Sequence, residues 1–284
     1  MSEFTAPEQQ EINRASASGL QPIVFVHGLW LLSSSWDPWR AFFEKHGYTT
    51  IAPGWPDDPT TVEEANKDPE AFANKHIKQV TDRYIAAIRQ LKTKPAVIGH
   101  SFGGLIAQRI AGEGASAVTV AIDPAPFRGV LPLPASSLKA SAPVLTNPLN
   151  YNRAVALTYE QFRFAFANVV DETEAHELYE KYAVPASGAP LFQAATANLN
   201  PWTEAQVDST NPARGPLLLI SGEKDNTVPW AIAHASYKRE ARNPGVTEIQ
   251  EIPNRGHSLT IDHGWQEVAE VALAFLAKHM QKSQ

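Results

Sequence analysis

The chain has 284 residues, 43% of them apolar, which is enough for one large domain or a domain with an inserted segment. Its formal net charge is −6 and it has no block of Lys or Arg, which argues against nucleic acids and anionic membrane surfaces as partners. The absence of cysteine excludes disulfides, thiolate catalysis and cysteine-ligated metals.

The amino-terminal stretch is polar and shows no periodic apolar pattern, so we expect residues 1–20 to form an irregular arm. It also lacks the basic start and apolar run of a secretory signal, and no stretch of the chain reaches transmembrane length. The sequence therefore predicts a cytoplasmic protein with no membrane span.

Apolar strands alternate with amphipathic helices in the first part of the chain. A Ser-rich stretch and an early proline at 34–38 indicate the start of one helix, and apolar spacing indicates a second between residues 69 and 91. Strands are predicted at 22–26, 50–52, 95–98 and 117–122. This alternation is typical of a parallel α/β sheet with right-handed crossovers.

The strand and helix rhythm stops near residue 124 and resumes at 216. Half of the 22 prolines of the chain lie between these two points, too many for regular crossovers. Thr158 and Gln161 have the spacing of a capping box that opens a helix, and a second short helix is expected over 173–182. We interpret residues 128–212 as an inserted helical cap.

Residues 1–127 and 213–284 then form the core, and the second part of the core repeats the earlier pattern. Strands are predicted at 217–220 and 246–252, a helix begins near Pro229, and the last helix carries a regular apolar stripe from Val268 to Leu276. The core sheet should therefore contain about six strands.

Four predicted strand ends carry residues suited to acyl chemistry. His27-Gly28 follows the first strand, Ser101 the third, Asp225 the fifth and His257 the sixth. Ligands of open parallel sheets bind beyond the carboxyl ends of the strands, so these residues should converge. A bare Gly-x-Ser-x-Gly arises by chance in roughly one chain of this length in ten. Its strand-to-helix context and the chain order Ser, Asp, His make it specific.

These motifs resemble those of the α/β-hydrolase superfamily of serine esterases and lipases. The matching stretches are HGLW at 27–30, GHSFGG at 99–104, GEKDNTVP at 222–229 and NRGHS at 254–258. The resemblance implies an α/β-hydrolase fold, with a mostly parallel sheet flanked by helices and the inserted cap. Family members usually carry an antiparallel hairpin before the first of these strands, and only about twenty polar residues precede it here, so we expect the hairpin to be missing or vestigial.

By this resemblance, Ser101 is the nucleophile and His257 takes its proton and later returns it. Asp225 holds the imidazole in one tautomer. Asp123 also ends a predicted strand and stays open as an alternative acid, because some relatives take their acid from that position.

The resemblance also places an oxyanion hole at the backbone N–H groups of Leu29 and Phe102. Trp30, Trp202 and Val228 lie near predicted site loops or in the cap, and we expect them to line an apolar substrate pocket. The implied chemistry requires no metal and no organic cofactor.

The sequence thus predicts a serine hydrolase that cleaves carboxylic esters, with lactones and thioesters as alternative substrates, through an acyl-enzyme on Ser101. Its partners would be a small ester-like molecule and water. The same triad also serves perhydrolysis of the haloperoxidase type, acyl transfer and lyase chemistry, and some ligand receptors keep the fold. Halide displacement and epoxide opening are excluded because they ordinarily require aspartate at the position of Ser101.

Overall fold

The computed structural model describes residues 4–280. Its strands are β1 (Gln21–Val26), β2 (Tyr48–Ile51), β3 (Ala96–His100), β4 (Val118–Ile122), β5 (Ala154–Val155), β6 (Ala186–Ser187), β7 (Leu217–Gly222) and β8 (Thr247–Ile252). Six of them form one sheet in the order β2-β1-β3-β4-β7-β8, and every neighbouring pair is parallel. The prediction of about six parallel strands is confirmed, and residues 4–20 contain no hairpin before β1.

Eleven α-helices are present in the described part of the chain. They are α1 (Ala6–Ala17), α2 (Asp37–Lys45), α3 (Val62–Lys67), α4 (Ile77–Ile88), α5 (Phe102–Gly112), α6 (Ala135–Leu145), α7 (Tyr159–Ala165), α8 (Glu172–Tyr182), α9 (Ala189–Ala195), α10 (Trp230–Glu240) and α11 (Trp265–His279). Over residues 4–280, none of them combines the length and hydropathy that a bilayer crossing requires.

Helices cover both faces of the sheet, as the fold class α/β requires. Successive side chains of a strand point to opposite faces, and in β1 both sets are buried. Ile23 and Phe25 pack with the aromatic side chains of α2 and the apolar stripe of α11. Val24 and Val26 pack with α1, α4 and α5 on the other face. Strand β1, and the loop that follows it, are therefore fixed by helices packed on both faces of the sheet.

The expectation of an irregular arm at residues 1–20 was wrong, because α1 occupies most of it. Thr5 and Glu8 form a capping box, in which each side chain accepts a hydrogen bond from the backbone N–H of the other. Ile12 is buried against the core, which gives the helix its tertiary anchor. The Thr-x-x-Glu spacing was visible in the sequence. Residues 1–3 of the expected arm lie outside the described residues.

Residues 128–212 connect β4 to β7 and contain α6 to α9 with the antiparallel pair β5–β6. The predicted capping box at Thr158 and Gln161 opens α7, and the second predicted short helix is α8. The helix expected between residues 69 and 91 is shorter than that span. A 3₁₀ turn at Pro69–Phe72 and a positive φ of 57° at Asn74 precede α4.

The turn from β3 into α5 packs against the end of β1 without room for side chains. A Cβ added to Gly99 would lie 2.0 Å from the Gly103 carbonyl oxygen, and one added to Gly103 would lie 2.1 Å from the Val26 carbonyl oxygen. Real atoms do not approach this closely, so any residue other than glycine displaces backbone at both strands. These two glycines fix where Ser101 stands relative to the loop after β1.

We expect Gly103→Ala to lower stability by about 3 kcal/mol or more, the upper end of the cost of overpacking, because the added methyl group meets backbone atoms on the neighbouring strand. Gly19→Ala is the matched control, since its Cβ meets nothing within 4 Å and only the positive φ of 71° is strained, at about 1–2 kcal/mol. Thermal unfolding monitored by circular dichroism compares the two. Equal losses of Tm in the two variants would contradict the packing argument.

Candidate active site

Ser101 stands at the corner between β3 and α5 in a strained backbone conformation, with φ 58° and ψ −123°. Its N–H donates to the Ile122 carbonyl at 2.9 Å, and its carbonyl accepts from the Ala125 N–H at 3.0 Å. The corner is therefore tied to the end of β4 on both sides. These two hydrogen bonds hold Ser101 in its strained conformation, in which its hydroxyl points beyond the edge of the sheet.

Ser101, His257 and Asp225 form one continuous hydrogen-bonded chain. His257 Nδ1 lies 2.6 Å from Asp225 Oδ2, and His257 Nε2 lies 3.0 Å from Ser101 Oγ. Because an ionised carboxylate only accepts, the ring proton sits on Nδ1 and the Ser101 hydroxyl donates to Nε2. This arrangement is the one in which an imidazole can remove a proton from a hydroxyl.

Asp225 is held in the turn after β7 by its own backbone neighbours. Its Oδ1 accepts from the N–H groups of Thr227 at 2.6 Å and Val228 at 2.8 Å. Sequence analysis assigned Val228 to the pocket and gave Thr227 no role. The Asp-Asn-Thr stretch carries the signal of an Asx turn, which could have revealed this contact.

Asp123 lies at the same edge, fully buried, with φ 40°. Its Oδ1 accepts from the Gly222 N–H at 2.8 Å. Burial in the first place, and then the adjacent Asp225 carboxylate, raise the pKa of Asp123 well above its ordinary value. Of the two acids that the sequence left open, Asp225 is the one hydrogen-bonded to His257.

The loop after β1 passes directly over the Ser101 corner. A Cβ on Gly28 would lie 2.9 Å from both the His100 carbonyl oxygen and Ser101 Cβ. Phe102 is the first residue of α5, so its N–H has no partner within the helix. Among residues 4–280, no hydrogen bond is made by the Leu29 N–H either. Neither of the two expected oxyanion donors therefore has a hydrogen-bond partner within the described residues.

The His27 side chain belongs to a buried polar cluster. Its Nε2 lies 3.1 Å from Asp58 Oδ2, and Asp58 Oδ1 forms an ion pair with Lys75, the side chains of all three being at most 5% exposed. The Trp55 ring stacks on His27 and donates its Nε1–H to the His27 carbonyl at 3.0 Å. Sequence analysis missed Asp58 and Lys75, since nothing in the turn-rich stretch distinguishes them.

Residues of the 128–212 segment contact His257 and the loop after β1. The Phe166 ring lies edge-on to His257 with centroids 4.8 Å apart, and the Phe166 carbonyl accepts from the Ser258 N–H at 2.9 Å. Trp30 donates its Nε1–H to the Val155 carbonyl at 3.0 Å. Both contacts join distant parts of the chain, so no local pattern predicts them.

Trp30 also lines a small cavity whose lining residues include neither Ser101 nor His257. The other apolar lining residues include Leu157, Phe162, Tyr179 and Val184. Trp202 has a different environment, because its side chain is 87% exposed in a groove with Arg109 and Glu113. The residues lining that groove do not include Ser101 or His257.

One group of potential metal ligands occurs in the described part of the chain. Nitrogen or oxygen atoms of His100, Asp123 and His257 lie within 4.8 Å of one another. Both nitrogens of His257 already contact Asp225 and Ser101, so neither has a lone pair free for a metal. Burial, and then the neighbouring His257, lower the pKa of His100, which therefore stays neutral. The group does not fit a metal ion.

The comparisons with known proteins agree with this architecture. A model of the alpha/beta hydrolase family matches residues 23–271. No curated protein matches the chain at the level of sequence.

Three solved structures illustrate the structural likeness. A monoacylglycerol lipase from Paleococcus ferrophilus is 18% identical with a TM-score of 0.62, covering 91% of this chain and 94% of that one. An extracellular alpha/beta-hydrolase from a Paenibacillus species is 20% identical with a TM-score of 0.62, over 89% and 98%. A pyrethroid hydrolase from Sphingobium faniae JZ-2 is 18% identical with a TM-score of 0.62, over 92% and 98%.

At these identities the neighbours share the fold, and the family model covers most of the chain. Together with the six-stranded parallel sheet, it shows that the chain belongs to the alpha/beta hydrolase family.

Proposed function

We propose that the protein hydrolyses carboxylic esters through an acyl-enzyme on Ser101. The observation that carries the proposal is the hydrogen-bonded chain from Asp225 through His257 to the Ser101 hydroxyl. The N–H groups of Leu29 and Phe102, which make no hydrogen bond within residues 4–280, support it further. Lipase, esterase and pyrethroid hydrolase names among the structural neighbours agree with this reaction class.

In the acylation step, Ser101 Oγ attacks the ester carbonyl as His257 Nε2 takes its proton. Asp225 stabilises the imidazolium that forms and keeps its ring oriented. The negative charge that develops on the carbonyl oxygen is held by the Leu29 and Phe102 N–H groups, worth about 3–4 kcal/mol for a single such donor. His257 then protonates the leaving alcohol.

In the deacylation step, water takes the place of the alcohol. His257 removes a proton from the water as its oxygen attacks the acyl carbonyl of Ser101. The same two N–H groups hold the second oxyanion, and His257 returns the proton to Ser101 Oγ as the acid leaves. The chemistry uses only side chains and backbone of this chain.

We further propose that residues 128–212 act as the cap over this site and set the substrate class. The Phe166 ring lies against His257, and the rings of Trp30 and Phe162 pack on Phe166 in turn. Such walls favour a neutral ester with an apolar acyl or alcohol part over a charged one, because a charge would be desolvated without a partner.

Ser101→Ala should abolish turnover of p-nitrophenyl esters and labelling by an organophosphonate, because the attacking oxygen is gone. Ser221→Ala is the matched control. Ser221 is also fully buried at a strand end, and its hydroxyl has no hydrogen-bond partner within residues 4–280. The control should keep both activities. Labelling that persists in Ser101→Ala would refute the assignment of the nucleophile.

Asp225→Asn should lower kcat by about three to four orders of magnitude, because an amide donates to His257 Nδ1 and favours the wrong tautomer. Steady-state kinetics with one p-nitrophenyl ester measure the loss. A KM close to that of the wild type is expected, since Asp225 does not touch the substrate. A variant with full activity would show that the acid lies elsewhere.

Activity should fall with decreasing pH on the acid side, because a protonated imidazole cannot accept the Ser101 proton. The logarithm of kcat/KM should drop with a slope of about one per pH unit, as for a single essential base. Initial rates over a range of buffers measure this profile. An optimum near pH 4 is incompatible with His257 as the base.

A further inference from the structure

Asp123 has no role in the steps above, although it lies at the same edge of the sheet as the triad. The side chain is fully buried, and the residue adopts a left-handed conformation with φ 40°. Its Oδ1 accepts from the Gly222 N–H, while Oδ2 has no hydrogen-bond donor among residues 4–280. A buried carboxylate with one oxygen unpaired would be costly.

The carboxyl groups of Asp123 and Asp225 lie near each other, since an oxygen of Asp123 is within 4.8 Å of a ring nitrogen of His257, and His257 Nδ1 is 2.6 Å from Asp225 Oδ2. Two ionised carboxylates buried this close together would repel each other, whereas a shared proton lets them attract. A hydrogen bond between two carboxyl groups requires a proton on one of them. Asp225 already receives three donors, from Thr227, Val228 and His257. Asp123 receives only one. The negative charge is therefore better stabilised on Asp225, and the proton belongs on Asp123.

The other titratable groups around Asp123 do not reverse this assignment. His100, on the end of β3, is buried and neutral, so it offers no positive charge. Arg255 favours the ionised form of Asp123, but burial and Asp225 outweigh it and raise the pKa of the Asp123 carboxyl. His257 contacts Asp225 through Nδ1 and Ser101 through Nε2, so neither ring nitrogen is left to pair with Asp123.

We propose that Asp123 is a positioning residue that remains a neutral carboxylic acid and donates a hydrogen bond to Asp225, holding that carboxylate toward His257 Nδ1. It touches neither substrate nor the reacting atoms. The pair then carries a single negative charge next to the imidazole. The kinetic consequence rests on the proposed function, but the protonation of Asp123 does not.

Two substitutions separate this role from that of a triad acid. Asp123→Asn keeps both contacts, because its oxygen can accept from Gly222 and its NH₂ can donate to Asp225. Asparagine also tolerates a left-handed backbone. We expect its kcat to stay within about threefold of the wild type, since this hydrogen bond is replaced by one of the same kind.

Asp123→Ala removes the donor, and we expect kcat to fall about ten- to a hundredfold with little change in KM. Tm of each variant is measured beside the rates. Loss of several orders of magnitude in Asp123→Asn, with its Tm kept, would overturn the proposal and make Asp123 the ionised acid. Full activity in Asp123→Ala would also overturn it.

An infrared measurement tests the proton directly and needs no substrate. The wild type at neutral pH should show the C=O stretch of a protonated carboxylic acid, and Asp123→Asn should lack it. Glu240→Gln is the control, because burial raises the pKa of Glu240 to about 7 and makes it a second source of such a band. The band that disappears in Asp123→Asn should still be present in the spectrum of Glu240→Gln. A wild-type spectrum identical to that of Asp123→Asn would refute the proposal even if the esterase activity is found.

Discussion

The contact between the β3–α5 turn and the end of β1 is the constraint on which the candidate site depends. Gly99 and Gly103 have no room for a Cβ, because backbone carbonyls occupy the space where one would stand. The same contact brings the loop with Gly28 against the Ser101 corner. This single backbone contact therefore positions the candidate nucleophile and the two candidate oxyanion donors. It does not involve the segment 128–212.

Backbone strain is concentrated at this edge. Trp30, Ser101 and Asp123 all have positive φ values without being glycine, and each follows directly or closely upon a strand of the central sheet. Such strain persists only where neighbouring structure over-determines it. Here the ladder of β1, β3 and β4 supplies that support, so three strained residues converge on the place where the proposed chemistry occurs.

Much of this could be predicted from the sequence, since strand ends, turn residues and capping spacings are local signals. The six strands, α7 and α8 followed from such signals. Helix α1 was missed although its capping-box spacing is a local signal, because it has no apolar periodicity and its other support is tertiary, such as the ion pair between Glu8 and Arg83. The choice between Asp123 and Asp225 was also beyond local patterns. Both end a strand, and only the fold shows which carboxylate meets His257.

The most direct test of the central claim is rapid mixing of the enzyme with a p-nitrophenyl ester, followed by acid quenching and mass analysis of peptides. The account predicts an initial burst of p-nitrophenol of about one equivalent when deacylation is slower than acylation, and an acyl adduct on the peptide that carries Ser101. An acyl group found on any other residue of an active enzyme would contradict the account.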